Sequence, residues 1–263
     1  MMTQVGGSYA LAIVDGTNRQ VFAATDRFAS ETLCFSLEKG ILRLSDRADC
    51  CVPEDGGLDR QAIYDYLFFH MIPAPRTIFS AVKRIPAASA WLFSAGGNQE
   101  IRHWPLKFEE DRRMAFDAAR NDFRGIVRSA VADQVSDHAQ VGAFLSGGTD
   151  SSTVAGMLCD VLGKPAETYS IGFAAEGYDE MEYARLAARH FGCNHHEYYV
   201  TPQDLLTSIG DIARYHDQPF GNSSALPSYY CAKMARNDGC TRMLAGDGGD
   251  ELFGGNSRYA TQR

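Results

Sequence analysis

A chain of 263 residues, 45% of them hydrophobic and 22% charged, carries enough apolar material for a real core, as two ordinary domains or one large one. The formal net charge of −8 repels nucleic-acid backbones and anionic membranes, so no nucleic acid and no membrane are expected as partners. Seven cysteines without a C-x-x-C spacing give neither a disulfide framework nor a zinc ribbon, no stretch approaches the ~20 apolar residues of a membrane span, and no positive leader opens the chain; a cytoplasmic protein with reduced thiols is expected.

Residues 8–55 predict β-structure. SYALAIVD, RQVFAATD, TLCFSL and ILRLSD are short apolar or alternating runs, parted by the turn-forming clusters DGTN, ASE and EKG. LDRQAIYDYLFFH (58–70) predicts a short helix, and AWLFSAGGNQEIRHW a hairpin around Gly96-Gly97. From about residue 115 the pattern changes. Phe116, Phe123, Ile126, Val127, Ala130 and Val131 recur at helical spacing. Strands then alternate with helices: QVGAFL, SSTVAGMLCDVL, AETYSIGF, DEMEYARLAARHF, HHEYYV, PQDLLTSIGDIARYH, with a further helix SALPSYYCAKMARND before the strand TRMLAG. Such alternation predicts a parallel sheet covered on both faces, with a ligand crevice beyond the carboxyl ends of its strands.

Two loops in this half carry chemistry. FLSGGTDSSTVAGM (144–157) sets Ser146-Gly147-Gly148-Thr149-Asp150-Ser151 between a strand and a helix, where orphan N–H groups and the helix dipole favour an anion. Gly147 and Gly148 let backbone approach a phosphate, and Ser146, Ser151 and Ser152 add hydroxyl donors. No G-K-[ST] follows, so this is not a Walker A loop. Asp150 has the wrong sign to touch phosphate directly, a conflict removed by a Mg²⁺ that takes carboxylate and phosphate oxygens together. A Ser/Asp-capped helix after a glycine turn is the plain alternative. RMLAGDGGDELFGG (242–255) repeats the design with Gly246-Asp247-Gly248-Gly249-Asp250-Glu251. Its three clustered carboxylates repel one another unless cations are near, and it lacks the spacing of an EF-hand. If both loops lie at the carboxyl edge of one sheet, Asp150 and Asp250 can share a Mg²⁺ held on a pyrophosphate.

VGAFLSGGTDSS, YSIGF with DEMEYARLAARHFGCNHHEYYVT, DQPFGNSSALPSYYCAKMAR and LAGDGGDELFGG-x-x-RY together resemble the synthetase domain of the asparagine synthase family, from about residue 100 to 263. The segment from SYALAIVD to ILRLSD resembles the later strands of that family's N-terminal glutaminase domain, and RTIFSAVKRIPAASAWLF to RHW resembles the connector. The resemblance implies an α/β protein: a parallel-sheet, ATP-pyrophosphatase-type (adenine nucleotide α-hydrolase-like) domain over 115–263, preceded by a β-rich remnant of a type 2 glutamine amidotransferase domain over 1–56 and a connector over 57–114. It implies that Leu145 and Ile171 offer backbone groups to adenine, and that Ser146, Gly147, Gly148 and Ser151 cradle pyrophosphate. Asp150 and Asp250 would ligate Mg²⁺, Gly246 would approach the ribose and α-phosphate, and Asp247 would stand at the reacting carboxylate as the catalytic acidic residue.

The activity implied is attack of a carboxylate on the α-phosphate of ATP, giving an acyl-adenylate and pyrophosphate, then amide formation with ammonia. Asparagine synthesis from aspartate is the first expectation; a lactam- or macrolactam-forming relative and a non-catalytic nucleotide-binding remnant are the alternatives. The implied partners are small molecules (ATP, aspartate or another carboxylate, ammonia or an amine), with a homodimer left open. Met2 stands where the family exposes its nucleophilic cysteine, and the chain stops at Arg263, ahead of the family's catalytic lysine. Both ends are therefore expected to be cut and the glutaminase half inactive.

Four pairs have simpler readings. His195 and His196 are adjacent on a strand, point to opposite faces and are expected to be structural. Lys83-Arg84 is expected as a solvated pair and Cys50-Cys51 as ordinary thiols. His216-Asp217 is open between a substrate contact and a structural role.

Overall fold

The short runs of the first hundred residues become antiparallel ladders. In the computed structural model, which describes residues 4–109, 113–135, 140–173 and 179–255, they are β1 (Ala10–Asp15), β2 (Gln20–Thr25), β3 (Cys34–Glu38) and β4 (Ile41–Ser45), then helix α1 (Arg60–Phe69), β5 (Lys83–Arg84), β6 (Ser89–Ser94) and β7 (Gly97–Arg102). One sheet has the order β1-β2-β6-β7 and the other β4-β3-β5. The predicted hairpin is present, with Ser94 opposite Gly97. Residues 57–114, read as a connector from sequence, supply α1 and strands of both sheets; β6 pairs with β2, and β5 with β3. Ala23, Leu33, Phe35, Ile85 and Phe93 form the main core of this unit, which comprises Met1–Glu110 with Ala213–Asn222.

A buried carboxylate and a half-buried one tie its loops. Asp26, 3% exposed, accepts from the N–H groups of Tyr9 (3.1 Å), Phe28 (2.9 Å) and Ser30 (3.1 Å), while its own carbonyl accepts from Ala88 N–H at 2.8 Å. Asp217 receives the Arg84 guanidinium at 3.0 and 3.1 Å and Ala48 N–H at 2.7 Å. Arg84 is thus an ion-pair partner and not a solvated side chain, because a guanidinium drawn into the sheet must replace its lost water. Lys83 lies over the Trp91 ring at 5.6 Å.

The second unit, Asp111–Ile212 with Ser223–Arg263, holds α2 (Phe116–Val135), β8 (Val141–Phe144), α3 (Thr149–Leu162), β9 (Glu167–Phe173), α4 (Met181–Phe191), β10 (Asn194–Val200), all but the last turn of α5 (Pro202–Tyr215), α6 (Ala225–Asn237), β11 (Arg242–Leu244) and the short α7 (Gly249–Phe253). Its sheet is wholly parallel in the order β10-β9-β8-β11. Successive side chains take opposite faces. Val141, Ala143 and Leu145 pack with Leu158, Met181, Ala184 and Ala188 from α3 and α4, whereas Phe144 packs with Tyr169, Cys231 and Ala235 on the α6 side. The chain steps from β8 through β9 to β10, then returns to β11 on the far side of β8. The switch point between β8 and β11 is where such sheets open a crevice. No helix among the described residues is long and apolar enough to cross a membrane.

Asp26 links this packing to pH. Burial alone would raise its pKa, but the N–H groups of Phe28, Tyr9, Ser30 and Glu31 outweigh that and hold it below the usual carboxylate range. Its stabilisation is therefore complete above the unfolded-state pKa and is lost as pH falls through the lower folded value. Asp26→Asn should cost about 2–4 kcal/mol at neutral pH. Denaturant unfolding should show the gap from wild type closing in acid; a gap independent of pH would refute this role.

Candidate functional site

A cavity of about 570 Å³ opens at the carboxyl ends of β8, β9 and β11, within the size range of small-molecule sites. Leu145 and Ser146 follow β8, Asp150 and Ser151 stand in the first turn of α3, Ile171 is on β9, and Gly246, Asp247 and Asp250 follow β11; all line it.

The first loop is held by its own hydroxyls. Ser146 Oγ and Ser151 Oγ are 2.9 Å apart, Ser146 N–H donates to Ser151 Oγ at 3.2 Å, and Gly148 N–H donates to Ser146 Oγ at 3.3 Å. Gly148 caps α3 in an extended conformation without a side chain, so this helix begins with bare amides at the crevice. Gly147 and Gly148 do not line the cavity. Gly147 has φ +85°, and a Cβ there would lie 2.5 Å from Ala184 N and from Tyr183 Cβ, so its bareness first serves packing against α4. Ser152, expected as a donor, is off the cavity wall with its Oγ buried and unpartnered among the described residues.

The second loop lies directly on the first. A Cβ on Gly246 would stand 2.8 Å from the Asp150 backbone carbon and Ser151 N. A Cβ on Gly249 would occupy the place of the Asp150 carboxylate, and one on Gly255 that of Asp250 Oδ1. Each carboxylate thus sits in a cradle left by a missing side chain. No group of three or more His, Cys, Asp or Glu that could hold a metal gathers among the described residues. Two carboxylates with room for phosphate and water suit Mg²⁺, which usually takes one or two protein carboxylates.

The two residues expected to meet adenine differ. Leu145 N–H already donates to Tyr169 O at 3.0 Å, and its carbonyl accepts from Ser170 Oγ, which leaves a lone pair on the carbonyl and no free N–H. Backbone groups alternate in direction along a strand. Since Tyr169 O faces β8, Ile171 two residues on turns its N–H and C=O to the same side, past the end of β8 and onto the cavity.

Sequence reasoning missed one wall. Ser224, Pro227, Ser228 and Cys231 line the cavity from α6 and the residue before it. Their spacing places them on one helical face, a signal available in SSALPSYYC but without a role until α6 was placed against β9. His216 and Asp217 belong to the first unit and do not line this cavity; His216 stacks on Phe220 with centroids 4.4 Å apart. His195 Nδ1 meets Thr168 Oγ1 at 3.0 Å and burial holds its pKa below the ordinary value, while His196 meets Glu167 at 2.6 Å, so the two are bound apart. Met2 and Arg263 lie outside the described residues.

A parallel sheet whose switch point carries two glycine-rich loops, one of them acidic, defines a doubly wound α/β domain with a crevice at that point. The family model for asparagine synthase matches residues 122–263, and that for a glutamine amidotransferase domain matches residues 1–104. The chain belongs to the asparagine synthase family. It is 31% identical over 268 residues to a putative glutamine-hydrolyzing asparagine synthetase 2 of Methanocaldococcus jannaschii, covering 96% of this chain and 50% of that protein. It is 27% identical over 269 residues to glutamine-hydrolyzing asparagine synthetase 1 of Bacillus subtilis, covering 98% and 41%. The chain spans half or less of the length of these relatives. Among solved structures, an NH3-dependent NAD synthetase of Campylobacter jejuni overlaps with a TM-score of 0.36 at 14% identity, over 53% of this chain and 62% of that one.

Gly147→Ala should cost on the order of 3 kcal/mol, since it combines a left-handed backbone with a clash against α4 backbone. Gly148→Ala, with φ −68° and its nearest neighbour 3.4 Å away, should cost under about 1 kcal/mol. Urea unfolding of both variants checks the contrast; equal costs would mean that Gly147 does not hold α3 against α4.

Proposed function

We propose that this protein forms amide bonds at the expense of ATP by adenylating a carboxylate, with aspartate as the acyl substrate, ammonia as the nitrogen donor and asparagine as the product. One observation carries the reading: the loops after β8 and β11 meet in one cavity, with Asp150 and Asp250 both on its wall. Membership of the asparagine synthase family supports it.

The roles follow from the local chemistry. The Ile171 backbone, beyond the end of β8, supplies hydrogen bonds to the adenine edge, beside the remaining lone pair of Leu145 O. The first amides of α3 and the hydroxyls of Ser146 and Ser151 hold the pyrophosphate; the Ser146–Ser151 bond keeps both hydroxyls in place until phosphate oxygens take them over. Gly246 leaves the backbone open at the α-phosphate, and Asp247, next along the same loop, stands at the reacting carboxylate. Asp150 and Asp250 would hold a Mg²⁺, which when bound neutralises the departing pyrophosphate.

With ATP, Mg²⁺, aspartate and ammonia, the protein should release AMP and pyrophosphate. Asp150→Asn and Asp250→Asn should each lower turnover about 10²–10³-fold, the scale for losing one preorganised electrostatic partner in a dry site. Calorimetry should show Mg²⁺-dependent ATP binding that weakens in both variants. Orthophosphate and ADP as products, or unchanged turnover in both variants, would overturn the reading.

A further inference from the structure

Two thiols that the nucleotide site does not use meet at the other end of α3. Cys159 lies in the last turn of α3 and Cys193 between α4 and β10, with their Sγ atoms 3.6 Å apart. Both are free and half-buried. Backbone anchors fix their positions: Gly163 N–H donates to Cys159 O at 3.0 Å, and Cys193 N–H donates to Ala188 O at 2.9 Å. The surrounding contact is tight, since a Cβ on Gly156 would lie 2.6 Å from the Phe191 ring. Access is unequal. Cys193 lines an open groove of about 430 Å³ with Arg185, Arg189 and His195, and Cys159 does not.

We propose that Cys159 and Cys193 are a modification site for peroxide, oxidised to an intramolecular disulfide that fastens α3 to the turn after α4. Cys193 reacts first, from the groove. Its thiolate sulfur attacks one peroxide oxygen, the O–O bond breaks, and hydroxide leaves and is protonated to water, giving a sulfenic acid. Cys159 sulfur then attacks Cys193 sulfur, the S–O bond breaks, and a second water departs with the Cys159 proton. Two thiols are oxidised by two electrons and one peroxide is reduced to two waters. Closing the pair to ~2.05 Å requires the sulfurs to approach by ~1.5 Å.

Other thiols are placed differently. Cys51 Sγ contacts the Cys34 carbonyl and not its sulfur, and Cys231 is buried, its thiol pushed up to about 12. Burial also holds the Cys193 thiol above its ordinary value, with the hydrogen bond to Cys159 adding to the effect. Thiolate is therefore scarce at neutral pH, and the first step gains rate as pH rises.

The test is hydrogen peroxide treatment of the purified protein, alkylation of remaining thiols and peptide mapping by mass spectrometry. The expected result is one cross-linked species joining Cys159 to Cys193, two hydrogens lighter than the reduced peptides and reversed by dithiothreitol. In Cys159→Ser the cross-link should vanish and a dimedone adduct should accumulate at Cys193. The oxidised protein should melt at a higher temperature than the reduced one, because the bond closes a loop between positions 34 apart, and Cys193→Ser should lose that difference. Full alkylation of both thiols after peroxide, or a cross-link that persists with another partner in Cys159→Ser, would overturn the proposal.

Discussion

The second unit depends on a close approach of backbone to backbone. Gly246, at the end of β11, lies over Asp150 and Ser151 so closely that a single methyl group would stand 2.8 Å from the α3 backbone. Because β8 and β11 are neighbours in a parallel sheet, their loops leave from the same edge, and only small residues let them share it. The cradles for Asp150 and Asp250 are consequences of that approach. Gly249 and Gly255 contribute space where a side chain would displace a carboxylate.

That packing sets up an electrostatic contrast. On one side, α3 begins with a glycine cap and bare amides, a partial positive charge suited to phosphate. On the other, Asp150, Asp247, Asp250 and Glu251 line the same cavity and repel one another and any phosphate. A polyanion bound with a divalent cation reconciles the two, since the cation takes carboxylate and phosphate oxygens together. The Ser146–Ser151 hydroxyl pair fits the same scheme. Two donors that already bond each other sit in place, so in the proposed function little rearrangement is needed for phosphate oxygens to replace the internal partner.

The first unit shows how buried charge organises loops without serving a site. Asp26 gathers three amides, two from the turn that follows it and one from the residue before β1. Asp217 joins Arg84 of β5 to the amide of Ala48. A carboxylate removed from water must be repaid in hydrogen bonds, so each one fixes several segments at once. This is why Arg84 and Asp217, one expected as solvated and the other open between two roles, form an ion pair, while Lys83 stays exposed and His216 stacks on Phe220.

Periodicity and turn residues marked most of the strands and helices, because a period of two or of 3.6 reports which residues a neighbouring layer must cover, but β5 and α7 are too short to show a period. Glycine and aspartate at the ends of two apolar strands were enough to mark both loops, since that chemistry is local to a few residues. Three features lay beyond the sequence. It could not separate the packing role of Gly147 from an anion-contacting one, because the obstacle at its missing Cβ is α4, more than thirty positions away. It could not see that Leu145 N–H is spent on Tyr169, because register is a property of two strands. Nor could it find the α6 wall, where Ser228 and Cys231 acquire meaning only from the strand they face. Local pattern determines which segments become regular and which loops are chemically unusual; long-range packing decides which of their atoms remain free to meet a ligand.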